Sequence, residues 1–189
     1  ESMTNAPYLL KKHRSGARLG HDTTYDHMFL DGLEDAYEEG RAMGTFAQET
    51  ANDYQMTREE MDEYSIESLR RANAAIDSGA FADEVVPVTF TTRKGEVTVE
   101  HDEQPGKGRP DKIPQLRPAF AKDGTITAAT SSSISDGAAA VVLSRESVAK
   151  ANGQQPVAKI VAMAAHAQEP AQFTVAPIGA IEKVLDKAG

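Results

Sequence analysis

The sequence predicts an α/β chain in which a helical, loop-rich insertion precedes an apolar strand, and three stretches carry that prediction. "TREEMDEYSIESLRRANAAIDSG" (57–79) opens on a capping box and closes on glycine. "EVVPVTF" and "EVTVE" surround the turn "TTRKG", and "DGAAAVVLS" (136–144) is a short, apolar run. In the capping box, Thr57 and Glu60 each satisfy the other's exposed amide. Met61, Leu69, Ala72 and Ile76 then recur at helical spacing, and Gly79 supplies a left-handed stop. The second stretch reads as two strands joined through a glycine turn, with Pro87 placing the first at an edge or a bulge. The third suits a strand buried on both faces.

The remaining elements follow in chain order. "KKHRSGARLGHDTTYD" is polar and turn-rich, an extended connection. "HMFLDGLEDAYEEG" (27–40) spaces Met28, Phe29, Leu33, Ala36 and Tyr37 as a short amphipathic helix. "MGTFAQETANDYQM" (43–56) predicts a second helix, with Phe46, Ala47, Ala51 and Tyr54 on its apolar side. Gln104 to Pro118 holds four prolines and both signs of charge, which makes it an excursion or loop. A short helix is expected from about Arg145, a strand from Val157 to about Ala164, and a last helix opening at Pro177, since proline is favoured in a first turn.

Composition narrows the function classes. A length of 189 residues fits one domain or two small ones. A formal charge of −9 argues against binding a nucleic-acid backbone. No apolar run approaches the roughly 20 residues needed to span a bilayer, and no signal peptide precedes the first residues, so a cytoplasmic location is expected. Cysteine is absent, which removes disulfides, thiolate metal sites and a cysteine nucleophile from these residues. The start at Glu1 and the finish at "PIGAIEKVLDKAG" lead us to expect a piece of a longer protein.

Residue chemistry alone yields no catalytic constellation. Asp31, Glu34, Asp35, Glu38 and Glu39 read as a solvated face. The five histidines have no metal-ligand spacing, and His166, at an expected strand end, reads better as a loop histidine than as a catalytic one. Ser131, Ser132 and Ser133 lack the frame of a nucleophile elbow. Lys11, Lys12, His13 and Arg14 form a basic cluster whose default reading is a solvated loop. Lys107, Arg109 and Lys112, set among prolines, are the better candidates to meet an anion.

Five blocks together resemble the thiolase family of acyl-coenzyme A acyltransferases. They are "ESMTNAPY", "MFLDGLEDAY…AMGTFAQETANDYQMTREEMDEYSIESLRRA", "FADEVVPV", "LRPAFAKDGTITAATSSSISDGAAAVVLS" and "PIGAIEKVLDKAG". The resemblance implies the central part of a layered, thiolase-like α/β fold. Residues 1–14 would end the N-terminal half before the insertion, 15–131 would be the loop domain, 132–152 the returning strand and helix, and 153–189 the start of the C-terminal half. It implies acyl transfer between coenzyme A thioesters, by Claisen condensation or thiolysis through an acyl-cysteine. The catalytic cysteines and histidine would lie outside these residues, so the piece alone would be inactive, and no catalytic or metal-binding residue is assigned within it. Coenzyme A or an acyl-CoA would be the substrate, with no tightly bound cofactor, no nucleic-acid or membrane partner, and a dimer or tetramer for the full-length protein.

The same resemblance implies coenzyme A contacts. Ser132 matches the serine that meets the pantetheine arm, Met43 and Phe120 match apolar residues of its tunnel, and Leu33 matches a leucine beside the nucleotide. Phe173 falls near the acyl pocket, and Lys107 or Arg109 would take the place of the arginine near the adenine. Ala42 stands where the family often has histidine. The alternative reading is a non-catalytic module of the same kind that binds coenzyme A or a lipid.

Overall fold

The computed structural model describes residues 1–189 and divides them into two compact units, 1–46 with 134–189 and 47–133.

In the first unit, β1 (Tyr8–Leu9) and β2 (Tyr25–Asp26) pair antiparallel, Tyr8 opposite Asp26 and Leu9 opposite Tyr25. Within the basic cluster, Lys11 Nζ lies 3.9 Å over the Tyr25 ring and His13 Nδ1 lies 3.1 Å from Asp22 Oδ2. The Lys11 charge is therefore taken up locally. The chain start is tied to the segment after the serine triplet. The Glu1 ammonium donates to the Gly137 carbonyl at 2.7 Å, and the Thr4 amide donates to Asp136 Oδ1 at 2.9 Å. That amide bond holds the Asp136 carboxyl below its ordinary value.

The helix expected over 27–40 is shorter than its pattern. A wide turn, Phe29–Leu33, closes through the Glu34 amide on the Phe29 carbonyl at 2.8 Å, and Glu34 then bridges to Ala42. Asp35 explains the stop: its carboxylate accepts from the amides of Tyr37 and Glu38 at 2.8 and 2.7 Å, offering them an alternative to helical bonds. The next helix, α1 (Met43–Asp53), also ends early. Gln55 is left-handed at φ 53°, and the Met56 amide returns to the Ala51 carbonyl at 2.9 Å, a Schellman-type closure. Phe46, 2 % exposed, has the Arg41 guanidinium 3.7 Å over its ring centroid and the Phe173 ring nearly perpendicular to it, with 6.4 Å between ring centroids.

Two expected strands do not form. Residues 138–143 and 157–164 belong to neither of the two small sheets, because no strand lies alongside to complete a ladder. Their side chains are exposed instead, Val142 at 95 % and Val157 at 104 %. The helices that follow do form as expected, α4 (Glu146–Ala151) and α5 (Ala176–Ala188), the latter with proline in its first turn. His166 packs over Gly179 of α5, where a side chain would collide with the imidazole.

The second unit holds the rest of α1, then α2 (Arg58–Asp77), the hairpin β3 (Val88–Thr92) and β4 (Gly95–Val99), and α3 (Glu103–Lys107). Both halves of the Thr57–Glu60 capping box are present, and Gly79 follows α2 at φ 68°. Three of the four prolines of 104–118 fall in α3 or in a 3-10 turn, Pro110–Gln115, and Pro118 follows that turn. Arg58 fastens that turn to α2: its Nη2 donates to the carbonyls of Ile113 and Leu116 at 3.0 and 2.9 Å, while Nε binds the buried Asp62 at 2.8 Å.

Candidate functional site

A cleft of about 870 Å³ lies within the second unit. One wall is a single stripe of α2, since Met61, Ser65, Ser68, Leu69 and Ala72 fall at three- and four-residue spacing on one helical face. Met56, Glu60 and Tyr64 continue it at the N-terminal end. The facing walls are α3 with its cap residue (Asp102, Gln104 and Pro105) and the run Ala129 to Ser132.

Each wall is held by local chemistry. Asp102 caps α3, its Oδ1 accepting from the Gln104 amide at 3.0 Å. Gly108 lets the exit of α3 approach α2, because a Cβ there would stand 2.5 Å from a Leu69 methyl. The serine run is folded around Thr127, which has no exposed surface. The Thr127 carbonyl accepts from Thr130 Oγ1 at 3.2 Å and from Ser131 Oγ at 2.8 Å. Its amide donates to Thr130 Oγ1 at 2.9 Å, and its own hydroxyl accepts from the Ala129 amide at 3.2 Å.

The lining is chemically mixed. Methionine, leucine, alanine and proline supply apolar surface, while Ser65, Ser68, Thr130, Ser131 and Ser132 supply hydroxyls. Its ionisable carboxylates are Glu60 and Asp102, and no lysine or arginine lines it. The Thr57 amide, then its hydroxyl, hold the Glu60 carboxyl below its ordinary value, so it is an anion at neutral pH. Such a surface fits an uncharged, flexible chain bearing amides better than it fits a phosphate. No three histidine, aspartate or glutamate side chains come together to hold a metal ion.

The residues singled out in the sequence are distributed unevenly. Ser132 lines the cleft. Lys107 is the last residue of α3, two positions beyond Pro105, and Arg109 donates to the Gly108 carbonyl at 3.1 Å; both are exposed and neither lines the cleft. Phe120 is half-buried in the same unit, outside the lining. Leu33, at the end of the wide turn, Met43, the first residue of α1, and Phe173, against Phe46, belong to the other unit. Sequence reasoning missed Tyr64, Ser65, Ser68 and Asp102. It noticed Met61, Leu69 and Ala72 only as an apolar helix face, and the serines interrupting that face were the unread signal.

The chain mixes helices and strands, and its residues 1–147 match the thiolase N-terminal domain. It belongs to the thiolase family. It is 45% identical over 190 residues to a probable acetyl-CoA acetyltransferase of Dictyostelium discoideum, covering 100% of this chain and 46% of that protein. It is likewise 45% identical over 191 residues to the acetyl-CoA acetyltransferase of Escherichia coli strain K12, covering 48% of it. Among solved structures, the Bacillus anthracis acetyl-CoA acetyltransferase superposes with a TM-score of 0.92 at 40% identity, over all of this chain and 48% of that one. An Ascaris suum thiolase, Acat5, solved in complex with coenzyme A, gives a TM-score of 0.88 at 42% identity, over 100% and 48%. The chain thus spans about half the length of the relatives it matches.

Proposed function

We propose that this chain is the coenzyme A-binding part of an acetyl-CoA acetyltransferase or 3-ketoacyl-CoA thiolase. The full-length protein would transfer an acyl group between coenzyme A thioesters, by condensation or thiolysis through an acyl-cysteine. The observation that carries this reading is the cleft, whose apolar stripe and row of hydroxyls suit the amide-bearing pantetheine arm. Family membership supports it, as does the Ascaris relative solved with coenzyme A. The chain has no cysteine, so its own contribution would be binding and subunit contact, while the nucleophile would come from sequence outside these residues. Ser132 would meet the pantetheine arm, and Lys107 and Arg109 would meet the phosphates beyond the end of α3. Leu33, Met43, Phe120 and Phe173 keep the roles implied by resemblance, as apolar contacts to the ligand. The full-length protein would be a cytoplasmic dimer or tetramer.

Calorimetric titration of the full-length protein with coenzyme A tests the assignment. Ser132→Ala should weaken binding about fivefold, corresponding to about 1 kcal/mol for one net hydrogen bond. Unchanged affinity in a folded variant would remove Ser132 from the site. Coenzyme A binding without turnover of acetoacetyl-CoA would favour the non-catalytic reading.

A further inference from the structure

Gln48 touches none of the cleft, yet its side chain is committed to the segment that forms the serine wall. It is 5 % exposed and uses its full hydrogen-bonding capacity. The amide oxygen accepts from the backbone N–H groups of Thr125 at 2.9 Å and Ile126 at 3.1 Å. The amide nitrogen donates to Asn52 Oδ1, one turn further along α1, at 3.0 Å and to Thr125 Oγ1 at 3.1 Å. Two backbone donors in succession fix which end of the side chain is oxygen. Gly124 completes the fit, because a Cβ at that position would stand 2.5 Å from the Gln48 oxygen.

The next residue after this clamp is Thr127, whose carbonyl, amide and hydroxyl hold Ala129, Thr130 and Ser131. Two sets of hydrogen bonds, joined by the Ile126–Thr127 peptide bond, therefore run from the middle of α1 through Thr125 and Ile126 to the wall that presents Ser132 to the cleft. We infer that Gln48 is a positioning residue for coenzyme A binding, acting through Thr127 on the Thr130–Ser132 wall. This rests on the reading of the cleft as the coenzyme A site.

Leucine at position 48 has nearly the same volume but leaves the buried Ile126 amide and the part-buried Thr125 amide without an acceptor, a costly loss that the segment relieves by moving. Glutamate keeps an acceptor for both. In the full-length protein, Gln48→Leu should weaken coenzyme A binding about tenfold in calorimetry, while Gln48→Glu, which keeps the acceptor but loses both donors and buries a charge, should fall between that and wild type. The double variant Gln48→Leu, Ser132→Ala should bind no more weakly than Gln48→Leu alone, because a displaced serine has nothing left to lose. Amide hydrogen exchange gives a readout independent of ligand: Gln48→Leu should speed exchange at 125–132 by at least about tenfold while α2 stays protected. Thr127→Val removes the hydroxyl that holds the Ala129 amide. It should show the same non-additivity with Ser132→Ala, and it keeps the test intact if Gln48→Leu does not fold.

Wild-type affinity in folded Gln48→Leu, or full multiplication of the two single effects, overturns the positioning role. Loosened exchange at 125–132 in a protein that does not bind coenzyme A keeps the clamp and sinks the ligand reading.

Discussion

Single residues show what a sequence makes visible and what it hides. Ser132 was singled out by a resemblance, and it lines the cleft. Gln48 was not, because nothing in "TFAQETAN" separates a buried, four-bonded amide from a solvated one. Only the fold brings Thr125 and Ile126, more than seventy positions away, onto it. Lys107 and Arg109 lie between these cases. Their charge and proline-rich setting were readable, whereas their absence from the lining was not. If they meet phosphates from outside the cleft, they do so as exposed charges, which are worth little each and are screened by salt. Replacing both with glutamine should weaken coenzyme A binding about two- to tenfold at low ionic strength and hardly at all near 1 M salt. A loss of affinity that persists at high salt would mean that they do something other than attract charge.

Among the elements, α2 was read correctly at both ends, since its start and stop are written in local chemistry: a capping box and a left-handed glycine. The overestimates at 27–40 and 43–56 share one cause. Hydrophobic spacing continues past the point where Asp35 and Gln55 redirect the backbone. On the exposed face of α2, Glu67 accepts from Arg70 Nε at 2.6 Å and from Arg71 Nε at 2.7 Å. The Arg70 guanidinium, then that of Arg71, hold its carboxyl down from 4.5 to about 2. A carboxylate with a depressed folded-state value stabilises the fold above its unfolded value and loses that effect as pH falls through the folded one. The Glu67 contribution should therefore be complete above pH 4.5 and fade between there and about pH 2. Thermal melts of wild type and Glu67→Gln should differ at pH 6 and converge near pH 2, with a smaller gap in high salt. A gap of constant size across that range would disprove the assignment.

For the molecule as a whole, the α/β class and the family were legible, while the two main strands were not realised as strands. "DGAAAVVLS" and the run from Val157 have the composition of buried strands, yet Val141, Val142, Ile160 and Val161 are all exposed. Strand propensity states only that a segment fits a pleated, half-buried surface, and a ladder also needs a neighbour. Exposed apolar runs of this kind associate with whatever covers them. This chain, produced by itself, should self-associate with rising concentration in sedimentation velocity, and should bind a hydrophobic dye through 138–143 and 157–163. Placing lysine at Val142 and Val161 should reduce both effects. A monodisperse, dye-silent monomer at high concentration would contradict the prediction.

The knot around Thr127 carries a thermodynamic consequence. Because Thr130 and Ser131 are already bonded to a residue with no exposed surface, the wall is ordered before any ligand arrives. A ligand entering the cleft need not freeze that loop, so the conformational entropy lost there on association falls mainly on the ligand's own rotors. Affinity across ligands of increasing stiffness would then rise with the number of rotors removed, with little contribution from reshaping of the protein.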